Sequence, residues 1–151
     1  MRIVPGDFSN PHLKDLLHLH MTRAHAETDP ESAHALDIAG LQAPGINLWA
    51  AWDGDLLMGG GALKRLYTLH GEIKSMHTVE AMRGRGVGAA MLRHIIETAR
   101  TSGLTRLSLE TGSQEYFRPA RELYARHGFT ECPPFGDYRL DPNSVFMTRE
   151  I

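Results

Sequence analysis

The chain has 151 residues, of which 42% are hydrophobic and 23% charged, with a net charge of −2. These values are typical of one globular domain, which we place at residues 1–151. A near-neutral surface argues against nucleic acid or an anionic membrane as a partner, because both require a basic patch. The single cysteine, Cys132, excludes an intramolecular disulfide. Since no signal peptide or long apolar run is present, we expect a soluble, cytoplasmic protein.

The first third of the chain predicts a short edge strand followed by two helices. Arg2 to Val4 is a short apolar segment typical of an edge strand. Asn10-Pro11 combines a helix N-cap with a first-turn proline, and leucines at helical spacing continue to about His25. Asp29-Pro30-Glu31 repeats the start signal and predicts a shorter helix that ends at Gly40.

The middle of the chain predicts three antiparallel strands. The apolar runs LWAAW and LLMGGGALKRL flank Asp53-Gly54, a dipeptide that favours tight hairpin turns. The glycines from Gly59 to Gly61 indicate a bulge or the close approach of another group. A turn near His70-Gly71 leads into a third strand from Glu72 to Val79.

The second half alternates helices and strands. A helix opened by RGRGVG ends at Gly103, a strand spans Leu104 to Glu110, and a helix spans Pro119 to His127. Two last strands follow, at Phe129 to Glu131 and Ser144 to Arg149. The order β-α-α-β-β-β-α-β-α-β-β predicts a mixed α/β domain. We expect a mostly antiparallel, twisted central sheet of about six to seven strands with helices on both faces.

The segment from Arg83 to Gly88, RGRGVG, is the strongest local signal for a binding site. Glycines allow the backbone to approach a ligand closely, and a helix start directs free N–H groups outward. The positive end of the helix dipole and the side chains of Arg83 and Arg85 both favour a pyrophosphate. The segment is not a P-loop, and it lacks the third glycine of a dinucleotide-binding fingerprint.

At this point the chain resembles the GNAT superfamily of N-acetyltransferases, and more narrowly its YsnE-like bacterial branch. Arg83, Gly86 and Gly88 match the signature [Q/R]-x-x-G-x-[G/A], and ARELYARHGF matches the pattern A-x-x-x-Y-x-x-x-G-F. The segments GEIKSM, RLSLETGS, PARELY and DPNSVFMT carry the narrower resemblance. The resemblance implies the GNAT fold and direct transfer of an acetyl group from acetyl-CoA to a primary amine in a ternary complex. A non-catalytic acyl-CoA-binding or sensor module on the same fold is the alternative.

The resemblance also implies a set of cofactor-binding residues. In the family the glycine loop binds the pyrophosphate of acetyl-CoA, and the preceding strand pairs by its backbone with the pantetheine arm. An asparagine that is frequent in the family is Phe117 here, so we expect apolar packing at that point. The implied residues are Met76, His77, Thr78, Val79, Arg83, Gly84, Arg85, Gly86, Val87, Gly88, Ala89, Phe117 and Tyr124.

The resemblance further implies an acid and a base. Tyr124 would protonate the leaving thiolate of CoA, since a phenol keeps its proton at neutral pH; its spacing alone indicates a core tyrosine. Glu72 has the spacing before Arg83 of the catalytic glutamate in the histone-acetylating branch. An exposed strand charge is the other interpretation of Glu72. Glu110 is the competing base and His77 is a third candidate.

Several questions stay open at this level. The nine histidines include neither an HxxxH pair nor an HExxH motif, so no metal site is expected. Trp49 and Trp52 should pack in the sheet, and Asp141 to Ser144 is either a simple turn or a loop near the substrate entrance. The amine acceptor is a small molecule or a peptide of unidentified structure. A homodimer is the commonest symmetric assembly, although nothing in the sequence selects one.

Overall fold

A computed structural model describes residues 1–27 and 38–151, and the side chains of residues 1–22 and 38–151. The helices are α1 (Pro11–Glu27), α2 (Ile38–Leu41), α3 (Val87–Thr101) and α4 (Arg118–Arg126). The strands are β1 (Arg2–Pro5), β2 (Ile46–Asp53), β3 (Leu56–Arg65), β4 (His70–Thr78), β5 (Arg106–Gly112), β6 (Thr130–Glu131) and β7 (Ser144–Glu150). The predicted helix start at Asp29 lies outside the described residues.

The described strands form one sheet in the order β1-β2-β3-β4-β5-β7-β6. Only β4 and β5 pair in parallel, and all other neighbours are antiparallel. The predicted mixed α/β fold with a mostly antiparallel sheet is therefore confirmed. The edge position predicted for the first strand is confirmed as well.

Helix α3 packs on one face of the sheet through the apolar stripe that the sequence predicted. Its buried side chains recur at helical spacing, and they belong to the same core cluster as Leu107 and Leu109 of β5 and Tyr124 of α4. The stripe consists of Val87, Met91, Leu92, Ile95, Ile96 and Ala99. This packing places the N-terminus of α3 next to the end of β4.

Helix α1 packs on the opposite face. Asn10 caps it, because its Oδ1 atom accepts hydrogen bonds from the backbone N–H groups of His12 at 2.9 Å and Leu13 at 3.3 Å. Leu13, Leu16 and Leu17 are buried in a second cluster with residues of β2 and β3. Successive residues of β2 alternate between the two clusters, as a strand covered on both faces requires.

The glycines of β3 permit the close approach of β4 and α3. A Cβ atom at Gly59 would lie 2.8 Å from the carbonyl oxygen of His77, and one at Gly61 would lie 2.8 Å from Met91 Cγ. The pairing of β3 with β4 shifts register at this point, and Ser75 adopts a φ of 54°. Both the predicted close approach and the predicted bulge are therefore confirmed.

Several strand limits differ from the prediction by one or two residues, and two of these differences bear on the site. Strand β4 begins at His70 rather than Glu72, because the turn before it closes between Tyr67 and His70. Strand β5 continues past Glu110 to Gly112, because its pairing with β7 extends to Ser144. The second extension brings more of β5 alongside the cavity described below.

Candidate active site

A cavity of about 410 Å³ opens where β4 and β5 separate. The two strands pair from His70–Arg106 to Ile73–Leu109, and the recorded pairing ends there. Residues of β4 after that point and the last residues of β5 line the cavity. The bulge at Ser75 marks the position where β4 turns away, so it contributes to opening the sheet.

The loop before α3 forms one end of this cavity. Gly84 and Gly86 have φ values of 78° and 81°, a conformation that favours glycine. Gly86 is the N-cap residue of α3 and provides no side-chain hydrogen bond, so the first-turn N–H groups are left for a ligand. The Arg83 guanidinium lies 6.0 Å from the centre of the Tyr116 ring. This end of the cavity is therefore suited to an anion.

Most of the residues predicted to bind the cofactor line this cavity. Two do not. Val79 packs against the core cluster beneath α1, and its N–H group bonds to the carbonyl of Met58 at 2.9 Å. Arg85 is exposed outside the cavity. The predicted residues at the cavity are Met76, His77, Thr78, Arg83, Gly84, Gly86, Val87, Gly88, Ala89, Phe117 and Tyr124.

Tyr124 of α4 reaches the cavity from the core beneath α3. Its side chain is 6% exposed, and its ring packs against Phe129 with centroids 5.9 Å apart. Removal from water, assisted by the charge of Glu110, raises the pKa of Tyr124 above its usual value. The hydroxyl group therefore stays protonated at neutral pH and can donate a proton.

Glu110 lies near the end of β5, half-buried in the cavity wall. The Ser144 hydroxyl donates a hydrogen bond of 3.0 Å to its Oε2 atom. Removal from water raises the pKa of Glu110 to about 7, and the charges of Glu72 and Asp141 act in the same direction. The Ser144 hydrogen bond and the Lys74 charge act against this shift. The carboxyl group is therefore poised to exchange a proton near neutral pH.

Glu72 lines the same cavity but has a different environment. Its side chain is 3% exposed, so the interpretation as an exposed strand charge is wrong. Its Oε2 atom accepts a hydrogen bond of 3.0 Å from Lys74 Nζ and one of 2.6 Å from the Tyr138 hydroxyl. Burial and the neighbouring Glu72 raise the pKa of Tyr138, which remains a donor. Glu72 is thus neutralised within the protein by a buried ion pair.

Two histidines face each other across the side of the cavity nearest α1. The Nδ1 atoms of His20 and His77 are 3.2 Å apart, so one ring donates and the other accepts. Burial lowers the pKa of His20 to about 4, which keeps this ring neutral under ordinary conditions. No trio of histidine, cysteine or acidic residues within the described ranges is arranged to hold a metal ion.

Sequence reasoning missed Lys74 and Tyr138, which both line the cavity. A signal for Lys74 was present, because His70, Glu72 and Lys74 alternate along β4 with apolar neighbours. Tyr138 belongs to the segment between β6 and β7, where no local pattern marks it. The segment from Asp141 to Ser144 does lie at the cavity, through Asn143 and the Ser144 hydroxyl. Trp49 and Trp52 pack in the sheet, as predicted.

Comparison with known proteins identifies the family. Residues 13–129 match the model of the Acetyltransferase (GNAT) family. The chain therefore belongs to the GNAT acetyltransferase family. Acetyl-CoA is the cosubstrate, and the alternative of a non-catalytic acyl-CoA-binding module is not favoured. In the described part of the chain, every helix is too short or too polar to cross a lipid bilayer.

Relatives support this assignment over the whole chain. The N-acetyltransferase YsnE of Bacillus subtilis is 48% identical over 151 residues, covering 100% of both chains. The N-acetyltransferase YedL of Escherichia coli is 45% identical over 146 residues, covering 97% of this chain and 92% of its own. The resemblance to the YsnE-like branch is therefore confirmed.

Solved structures share the fold. An acyl-CoA N-acyltransferase structure from Klebsiella pneumoniae has a TM-score of 0.81 and 26% identity, covering 99% of this chain and 96% of its own. A Bacillus subtilis acetyltransferase in complex with CoA has a TM-score of 0.74 and 23% identity, covering 99% of this chain and 98% of its own. The second similarity supports the fold alone.

Proposed function

We propose that this chain transfers the acetyl group of acetyl-CoA directly to a primary amine, with Glu110 as the general base and Tyr124 as the general acid. The observation that carries this proposal is the presence of both groups in the wall of one cavity, where the charge of Glu110 acts on the Tyr124 hydroxyl. A carboxylate that takes up a proton near neutrality and a phenol that retains its proton have the properties that the two roles require.

The cofactor would occupy the end of the cavity formed by the glycine loop and the free edge of β4. First-turn N–H groups of α3 and the Arg83 guanidinium would bind the pyrophosphate. The pantetheine arm would pair with the backbone of β4 beyond Ile73, where β5 has separated from it. Phe117, which also lines the cavity, would contribute apolar packing.

The reaction would proceed without a covalent enzyme intermediate. Glu110 removes a proton from the acceptor ammonium, and the free amine attacks the thioester carbonyl carbon. Backbone N–H groups near Met76 to Thr78 would stabilise the oxyanion that forms. When the C–S bond breaks, Tyr124 donates its proton to the CoA thiolate. The attacking nitrogen loses its second proton to the Tyr124 phenolate as the amide forms, and Glu110 then releases the proton that it took up to solvent.

Glu110 suits the role of base better than Glu72 does. One oxygen of Glu72 already accepts two hydrogen bonds, and one of these is from a buried ammonium. Lys74 and Tyr138 thereby occupy this oxygen atom, so it is less accessible to the ammonium of a substrate. Glu110 lies in the wall of the same cavity, its Oε2 atom accepts a hydrogen bond from the neutral Ser144 hydroxyl, and burial raises its pKa to about 7.

The test is the release of CoA from acetyl-CoA with a panel of amines across a pH series. For the wild type, kcat/KM should rise with pH through about 7 as Glu110 ionises and then level off. Glu110→Gln should lower kcat/KM at high pH by about 100-fold or more and remove this rise, because the base is lost. Glu97→Gln, on the exposed side of α3, is the matched control.

Acetyl-CoA binding must be followed separately in the same variants. Saturation at about 100 times Kd should stabilise each of them by about 2.7 kcal/mol in thermal unfolding. If acetyl-CoA binds but no amine accelerates CoA release, the proposed transfer is wrong. If Glu72→Gln rather than Glu110→Gln removes the pH dependence, the base is Glu72.

A further inference from the structure

Lys74 is a buried cation in the wall of the cavity, and neither the cofactor nor the proposed proton transfers require it. It lies on β4 two positions after Glu72, on the same face of the strand. Its side chain is 9% exposed. The ammonium donates hydrogen bonds of 3.0 Å to Glu72 Oε2 and 3.0 Å to the Tyr138 hydroxyl.

The Lys74 ammonium has a donor left for a ligand. An ammonium has three N–H bonds, and two of them are used by Glu72 and Tyr138. The structure records no acceptor for the third within the described residues, although Lys74 lines the cavity. Because Lys74 lines the cavity, this N–H is available to an acceptor atom of a bound substrate.

The charges around this point also favour a particular ligand. Glu110 lies close enough for the Lys74 charge to oppose the effect of burial on its carboxyl group. The cavity wall thus presents the carboxyl group of Glu110 within electrostatic range of the ion pair that Lys74 forms with Glu72. A molecule with an ammonium and a carboxylate on neighbouring atoms would place its ammonium at Glu110 and its carboxylate at the remaining N–H of Lys74.

We propose that Lys74 binds a carboxylate of the acceptor, and that the acceptor is therefore an α-amino acid. This inference rests on the proposed function, because it places the reactive amine at Glu110. The carboxylate would accept the remaining N–H of Lys74, while Glu72 and Tyr138 hold the ammonium in position. Replacing a buried ion pair with apolar residues is often neutral for stability, so a structural role alone does not require Lys74 here.

The experiment compares acceptors that differ only in the carboxylate. The standard amino acids are assayed beside their amides, for example phenylalanine beside phenylalaninamide, with rates corrected for the fraction of free amine. For the preferred side chain, kcat/KM for the amino acid should exceed that for the amide by about tenfold to 100-fold, the range of a charged hydrogen bond. Lys74→Met should reduce this ratio to near one, and Lys74→Arg should retain most of it.

The readout is the ratio of kcat/KM for the amino acid to kcat/KM for its amide, because a general loss of activity cancels in this ratio. Lys14→Met, an exposed position on α1, is the matched control and should leave the ratio unchanged. If Lys74→Met does not fold, the double variant Glu72→Gln/Lys74→Met removes the pair without leaving a buried charge alone. The product and its amide, N-acetylphenylalanine and N-acetylphenylalaninamide, should show the same preference as inhibitors, and they have no amine to titrate.

Three outcomes would overturn the inference. The first is equal use of amino acid and amide by the wild type. The second is a preference for the amino acid that survives Lys74→Met and the double variant. The third is efficient acetylation of amines without a carboxylate together with no acetylation of amino acids. These results leave the proposed transfer intact, whereas the absence of any amine-dependent CoA release overturns both.

Discussion

The two ends of the cavity are built in different ways. The end that we propose for the cofactor, called the cofactor end, consists mainly of backbone: the N–H groups that start α3, two glycines with positive φ and the free edge of β4. The acceptor end consists of side chains from separate elements, with Glu72 and Lys74 on β4, Glu110 on β5 and Tyr138 beyond β6. The first end depends on local conformation, and the second depends on strand pairing.

This difference separates a site of backbone groups, which many sequences can form, from a site of side chains, which is particular to this sequence. A backbone site is insensitive to side-chain substitution as long as its glycines remain, so it can bind the same cofactor in many sequences. A site of side chains on adjacent strands can change its chemistry at one position while the fold stays the same. We therefore expect substitutions at the two ends to alter different kinetic parameters.

The largest effect should come from Tyr124, which lies where the two ends meet. Tyr124→Phe removes the proton donor but keeps the ring that packs against Phe129. We expect kcat to fall by about 100-fold, because the thiolate must then leave without an acid. The dissociation constant of acetyl-CoA, measured by calorimetry, should change little.

Tyr67→Phe is the control for this substitution, since Tyr67 is 58% exposed in the turn before β4. An unchanged kcat in Tyr124→Phe would remove this residue from the mechanism. A weaker affinity for acetyl-CoA at constant kcat would instead place Tyr124 among the cofactor contacts alone.

The next largest effect should be a loss of stability caused by a substitution at the acceptor end. Glu72→Gln leaves the Lys74 ammonium, which is 9% exposed, without its counter-charge. We expect the free energy of unfolding in urea to fall by about 3 kcal/mol. The affinity for acetyl-CoA should be retained, whereas the pH midpoint of kcat/KM should move to lower pH, because the charge of Glu72 contributes to the raised pKa of Glu110.

Glu115→Gln provides the comparison, because Glu115 is 80% exposed in its ion pair with Arg118. Its stability should stay within about 0.5 kcal/mol of the wild type. If Glu72→Gln also changed the free energy of unfolding by less than about 0.5 kcal/mol, the ion pair between Glu72 and Lys74 would not stabilise the acceptor end.

A smaller effect should appear in the pH dependence of stability. Burial raises the pKa of Glu110 to about 7 from 4.5, so the folded state holds this proton more tightly than the unfolded state does. The resulting stabilisation is complete below about 4.5 and is lost as pH rises through about 7. Between pH 5 and pH 8, Glu110→Gln should therefore gain stability relative to the wild type by roughly 2 kcal/mol.

The measurement is urea unfolding of both proteins at each pH, and the difference between them cancels the titration of every other group. Glu97→Gln, on the exposed side of α3, should give a difference that stays flat with pH. A flat difference for Glu110→Gln would mean that its carboxyl group is solvated and is not the poised base.

The same contrast explains what could be predicted from the sequence. The glycine loop of the cofactor end lies within consecutive residues, Arg83 to Gly88, so its local pattern was sufficient to predict an anion-binding loop. Lys74 and Glu110 come together only because β4 and β5 pair in parallel, and strand order is not encoded in local spacing. Tyr138 joins them through a long connection without regular structure, which leaves no periodic signal.

The fold followed from the sequence for similar reasons. Helix α3 has a continuous apolar stripe and glycines at both ends, so its type and limits were evident. The limits of β4 and β5 were less accurate, because pairing partners determine where a strand stops. The role of Glu72 could not be inferred, since its environment depends on Lys74 and Tyr138 together.

The smallest expected effect separates backbone conformation from cofactor binding. Gly86 and Gly103 flank α3 with φ values of 81° and 85°, so alanine at either should cost about 1 kcal/mol of stability. Only Gly86 lines the cavity, and a Cβ atom there would project into open space beside the helix start. Gly86→Ala should therefore weaken acetyl-CoA binding, by about tenfold if one backbone contact is lost. Gly103→Ala should leave the affinity unchanged. Equal affinity in both variants would mean that the helix start does not bind the pyrophosphate, even if the remainder of the cavity acts as proposed.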